Sequence, residues 1–182
     1  NFQTEKRFDV MYKNDKPWTG AYALAAAFTR AIEEGYDVLN PIYLTNISEK
    51  DVEYIFRHHS APIPMFDERV RQLKAVGNML QEDVFKSFVS LFQMCDYHLV
   101  GNRGNCGILE ILFSSPAYSD SQMLGSYELN FVKRAQLFPM VYHGRALSSQ
   151  GKLQPIRDPW NFGAVADYEV PRALRAAGIL EY

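Results

Sequence analysis

With 182 residues, 47% of them hydrophobic and 22% charged, the chain has the composition of a folded globular protein and not of a disordered one. Nineteen basic residues against 21 acidic ones leave a net charge of −2, which argues against a surface built to coat duplex DNA or an anionic membrane. One small phosphorylated ligand remains compatible with that balance, since a local cation or a helix N-terminus is enough to hold it.

In chain order, Phe8, Val10 and Tyr12 alternate with Asp9 and Met11, the period of a short strand. Thr19 is the expected cap of a first helix, whose apolar residues include Tyr22, Ala25, Ala26, Phe28, Ala31 and Ile32 and whose stop is Gly35. Ser48 opens a second helix, with Asp51 and Glu53 adding negative charge near its start. After Pro64, apolar residues from Phe66 to Leu91 recur at three- and four-residue steps, which predicts a long helix with a break near Gly77 or Asp83. Residues 97–113 predict a glycine-interrupted loop followed by a short helix through Ile108 and Leu112. Residues 114–125 read as a loop, and the next helix is expected from about Tyr127 to Leu137, kinked or ended by Pro139. A polar loop spans 148–158, and the last helix is expected to start near Pro171. Helical patterns dominate, without repeats, low-complexity tracts or an obvious linker. The expected fold is therefore a single, mainly α domain with a short N-terminal β segment.

Several chemistries find no support. Gly101, Gly104 and Gly107 lack the spacing and the Lys-Ser/Thr of a phosphate loop, and no Gly-x-Ser-x-Gly elbow is present. His58 and His59 read as a solvated pair at the end of the second helix. Cys95 and Cys106 fit no zinc pattern and read as two reduced thiols of an intracellular protein. No apolar run approaches the roughly 18 residues of a membrane span, and the opening residues carry no signal-sequence pattern, so a cytoplasmic location is expected.

Two segments in the last third stand out. Lys133, Arg134 and Gln136 set two cations and an amide inside an otherwise apolar helix. Asp167 follows Phe162, Ala164, Val165 and Ala166 and lies just before Pro171. On the residues alone, Asp167 is first a helix cap, with Glu169 a nearer capping candidate, and second a catalytic carboxylate.

The same segments carry a resemblance. Residues 19–27 with 30–35, Ile55-Phe56-Arg57 followed by residues 63–69, Asn130-Phe131-Val132-Lys133-Arg134-Ala135-Gln136, and Ala166-Asp167-Tyr168-Glu169-Val170-Pro171 match, in order, motifs of the queuosine salvage proteins. The chain resembles the central part of that family's domain, truncated at both ends. The resemblance implies a compact helical fold related in shape to DNA glycosylases. It implies hydrolysis of the N-glycosidic bond of queuosine 5′-phosphate, releasing queuine for salvage into tRNA, in a cytoplasmic protein. Asp167 would be the catalytic carboxylate, Lys133 its required partner, and Tyr168 a substrate-binding residue at the pocket. No metal or other cofactor is implied; the partner is the small-molecule substrate, with neither stable nucleic-acid binding nor a membrane. The chain departs from the family where Val165 replaces a Phe expected to stack on the base, and where Val141 and His143 stand in place of an Asp and a Trp. Those departures motivate the alternative, a non-catalytic relative or fragment that binds a nucleotide or a protein partner.

Overall fold

A computed structural model describes residues 7–13, 15–82, 85–102, 104–165, 167 and 169–181. About half of the chain is helical, and among the described residues two sheets of two strands each are found. The chain divides into two compact units, Asn1–Lys86 and Ser87–Tyr182.

In the first unit the expected β segment forms β1, Asp9–Val10, which pairs antiparallel with β2, Trp18–Thr19. Thr19 is thus taken by the ladder, and the expected cap moves one residue on. Gly20, at φ 60°, turns the chain into α1, Ala21–Glu33, and donates its N–H to the Phe8 carbonyl at 3.0 Å. Ala23, Ala26, Ala27 and Ala31 form the buried stripe of α1, and Gly35 at φ 90° follows its end as expected.

A helix not read from the sequence, α2 (Pro41–Asn46), starts where Asn40 accepts the Ile42 N–H and Pro41 occupies the first turn. The second expected helix is α3, Glu49–Ile55, closed at its start by a Ser48–Asp51 capping box. His58 and His59 lie beyond it, and it is Arg57 that reaches back to the Tyr54 carbonyl.

The long amphipathic run splits into α4, Phe66–Glu82, and α5, Phe88–Met94, in the second unit. Asp83, one of the two expected break points, lies outside the described residues. Gly77 does not break α4. A Cβ there would sit 2.8 Å from the Pro41 carbonyl oxygen and nearer still to the Thr45 amide, so this glycine lets α2 and α4 approach closely. Val10, Ile47, Val52 and Ile55 are fully buried in the core of this unit.

The second unit begins with α5, whose Ser87 cap accepts the Ser90 N–H at 3.1 Å. The glycine-bearing loop leads, as expected, into the short α6, Ile108–Ser114. Glu110 holds that loop by accepting the N–H groups of Gly101 and Gly107, one on each carboxylate oxygen.

Two expectations fail in the next stretch. Residues 121–124 are not loop but β3 (Ser121–Leu124), and Tyr127 does not start a helix but opens β4 (Tyr127–Asn130). Leu124 faces Tyr127 across a two-residue Gly125-Ser126 link, with Gly125 at φ 62°. A glycine first in such a link supplies the positive φ that a tight hairpin needs, and this local signal outweighs a weak helical pattern.

The helix begins only at Lys133, as α7 (Lys133–Leu147), and runs straight through Pro139 in the helical count. A mid-helix proline removes a hydrogen bond and costs about 3 kcal/mol. Here Pro139 is fully buried, and Phe138 beside it packs on Phe88 (4.6 Å between centroids), Phe92 (5.6 Å) and Tyr118 (5.8 Å). Packing carries the helix past the point where propensity would stop it.

The predicted loop 148–158 is irregular and ends at buried Asp158. A 3-10 turn, Pro159–Asn161, follows, and α8, Glu169–Ala176, places Pro171 in its first turn.

Candidate active site

α7 is entered under strain. Val132 takes φ 54°, a left-handed conformation that a β-branched residue rarely adopts, and offers no side-chain cap. The cap comes from elsewhere: one carboxylate oxygen of Asp120 accepts the N–H groups of Lys133 (2.8 Å) and Arg134 (3.1 Å). Asp120 therefore satisfies two of the orphan donors of the helix start and fixes where Lys133 leaves the backbone.

One face of α7 then grips the C-terminal segment in reverse order. His143 Nδ1 accepts the Ile156 N–H at 3.1 Å, and its ring lies 6.1 Å from that of Phe162. Gln136 Oε1 accepts the Gly163 N–H at 2.7 Å. Lys133 Nζ meets Asp167 Oδ2 at 3.2 Å. The spacing of 133, 136 and 143 keeps these side chains on one helical face, since three residues advance about 300° and seven nearly complete two turns.

Asp167 divides its two oxygens. Oδ2 takes the Lys133 ammonium, while Oδ1 accepts the Glu169 N–H at 2.9 Å at the entrance to α8. The capping role and the charge-paired role left open by the sequence are thus compatible in one residue. The Glu169 N–H, and after it the Lys133 ammonium, hold the Asp167 carboxyl below the usual carboxylate range, against a small opposing effect of burial. The pair is neither buried nor free, with side chains 32% (Lys133) and 35% (Asp167) exposed. A carboxylate offers about four lone-pair sites, so two remain for a ligand or water.

The structure brings Lys133 and Asp167 together; Tyr168 lies outside the described residues. Val141 projects from α7 into solvent and takes no part in this arrangement. Sequence reasoning missed the role of Asp120, which sits unremarked in a stretch read as loop. It noticed the Gln136 amide without assigning its partner. No group of three or more histidines, cysteines or acids able to hold a metal is found among the described residues. None of the described helices is long and apolar enough to cross a membrane.

What the fold and the site define is a mainly α protein whose partly exposed carboxylate, its pKa lowered, is held against an ammonium, an arrangement suited to facing positive charge that develops on a bound substrate. A profile of the queuosine salvage proteins matches residues 1–182, and the chain belongs to that family. Three relatives carry the name queuosine 5′-phosphate N-glycosylase/hydrolase. That of Sphaerobacter thermophilus is 31% identical over 182 residues, covering 100% of this chain and 53% of its own. That of Nematostella vectensis is 29% identical, covering 92% and 49%. That of Mus musculus is 30% identical, covering 91% and 47%. The chain spans about half the length of these relatives.

Proposed function

We propose that this chain carries the catalytic pair of a queuosine 5′-phosphate N-glycosylase/hydrolase, with Asp167 as the catalytic carboxylate and Lys133 as its electrostatic partner. The observation that carries the reading is the 3.2 Å contact between two side chains that lie thirty-four positions apart, each left partly open to a ligand. The names borne by the relatives support it.

Breaking the bond between ribose and base leaves a cationic, oxocarbenium-like sugar. The electron pair of that bond departs with the base. Water then supplies a hydroxyl to the sugar carbon and a proton to the base, so that atoms and charge balance. An ionised carboxylate beside the sugar stabilises or captures the cation, and its depressed pKa keeps it ionised throughout the neutral range. Lys133 holds that carboxylate in place and adds a positive charge that a 5′-phosphate can share. Tyr168, next to Asp167 in sequence, is the expected substrate-binding residue. The substrate is a free nucleotide rather than a nucleic acid, in keeping with the near-neutral charge.

The test is release of free queuine from queuosine 5′-phosphate by the full-length protein. Asp167→Asn keeps an acceptor for the Glu169 N–H but loses the charge. It should lower kcat by about 10²-fold or more while the protein stays folded. Full turnover by this variant would remove Asp167 from the reaction.

A further inference from the structure

We propose that Gln136 is a positioning residue for this site, its side-chain amide setting the segment that delivers Asp167 to Lys133. The inference rests on the functional reading above and extends it to a residue outside the charged pair.

Gln136 lies on α7 three residues after Lys133, and Gly163 lies four residues before Asp167. The Gln136 Oε1 to Gly163 N–H bond and the Lys133 to Asp167 bond are consecutive rungs between the same two stretches of chain. The first rung has the better protected side chain. Gln136 is only 9% exposed, whereas Lys133 and Asp167 are each about a third exposed. A surface ion pair between a flexible lysine and a carboxylate contributes little and does not by itself fix geometry. A part-buried hydrogen bond from the backbone to the nearly buried Gln136 amide restrains the segment more, because the amide oxygen left without its donor carries a desolvation cost.

Gly163 is matched to this bond. A Cβ at that position would lie 3.0 Å from Gln136 Oε1 and 3.4 Å from Nε2, so any side chain there would push the amide aside. Glycine at residue 163 therefore lets the backbone and the amide meet without displacing either. The third rung, His143 Nδ1 to the Ile156 N–H, fixes the far end of the same segment and its direction along α7. Asp167, four residues beyond the second anchor, then meets Lys133 one turn back along α7.

Two variants of the full-length protein test this. Gln136→Met keeps the side-chain volume and removes the acceptor. Gly163→Ala keeps both polar groups and displaces the amide by a few tenths of an ångström. The readouts are kcat and KM for queuine release, and the Asp167 carboxyl titration followed by carbon-13 NMR. Among the described residues the charged group facing Asp167 is Lys133 of α7, while on α8 Glu169 pairs with Arg172 at 3.4 Å. Neither substitution alters any of them.

Gln136→Met is expected to lower kcat about tenfold with KM within about twofold, the signature of misplaced chemistry rather than lost binding. It is also expected to raise the Asp167 pKa, as the ammonium drifts away. Gly163→Ala should move both readouts the same way by less. Tyr142→Phe, which removes the Tyr142 hydroxyl bond to the Gln154 carbonyl elsewhere on α7, serves as a control for lost stability and should leave both unchanged. The proposal is overturned if both folded variants keep the wild-type kcat and Asp167 titration while only their unfolding midpoints fall. It is equally overturned if Tyr142→Phe reproduces their effects. Should Gln136→Met not fold, Gly163→Ala decides alone. Absence of queuine release by the wild type would sink the functional reading, and the titration would still decide whether Gln136 positions Asp167.

Discussion

At the scale of the residue, Asp167 holds its charge for two separable reasons. The Glu169 N–H is the larger cause of its lowered pKa and the Lys133 ammonium the second. Because the pKa of the folded carboxyl is depressed, the ionised form persists above the usual carboxylate range and is lost only as pH falls through a value below it. If Asp167 must be ionised, kcat/KM should stay level from neutrality to below about pH 4 and decline only under more acid conditions. Lys133→Met removes the second cause and keeps the first. The acid limb should then move upward without reaching the position of an unassisted carboxylate, and kcat should fall by about 10²-fold. A pH–rate profile of the variant checks both. An unmoved acid limb would mean that the ammonium is not what this carboxylate feels.

At the scale of the element, α7 is an unusual helix. Its entrance is strained at Val132, its interior holds a proline, and its first turn borrows a cap from Asp120, thirteen residues upstream of Lys133. The second Asp120 oxygen is buried without a partner, so the residue is kept at some cost for its hold on the helix start. Asp120→Ala should lower stability by about 1–2 kcal/mol, read as a shift in the urea midpoint, and Asp120→Asn, which keeps an acceptor, should recover most of it. A loss smaller than a few tenths would show that water can replace the cap. The same element explains the main failure of the pattern reading. The hairpin β3–β4 and the delayed helix start both follow from Gly125-Ser126, a two-residue signal at the junction of a stretch read as loop and one read as helix. Thr19 was legible as a terminus but not as a strand residue, because its partner Asp9 is ten positions away.

At the scale of the whole molecule, each unit is tied by one buried carboxylate to a loop distant in sequence. In the first unit Asp9 accepts the Ser60 hydroxyl and N–H and the Ala61 N–H at 2.6–2.9 Å. Burial alone would push its carboxyl up, but the bonds from Ser60 and Ala61, with His59 nearby, bring it down to about 2 from 3.8. In the second unit Asp158 accepts the N–H groups of Leu99 and Val100 and the Asn161 amide. Burial again raises its carboxyl, and those bonds outweigh it and leave the pKa below the ordinary value. Both shifts are depressions, so both contribute stability that is fully present above the unfolded pKa and lost as pH falls through the folded one. For Asp9 the window runs from about pH 4 down to about pH 2. After allowance for solvent screening, its contribution is on the order of 1–2 kcal/mol. Asp9→Asn should flatten the fall in stability across that window relative to wild type, as measured by urea unfolding at a series of pH values. Parallel curves would mean that Asp9 is not the group that titrates.

The amino-acid sequence by itself determined the helical class, the termini marked by Ser48, Gly35 and Pro171, the short strand at Asp9–Val10 and the family motifs that contain Lys133 and Asp167. These are local signals, written in periodicity, capping residues and short strings that need no partner elsewhere. Only the tertiary structure decided that Asp120 caps α7, that Gly77 and Gly163 make room for other chain segments, that α7 passes Pro139, and that Lys133 meets Asp167. Each of those depends on groups brought together from distant positions. Their energies come from packing and from hydrogen bonds whose second partner no local pattern encodes.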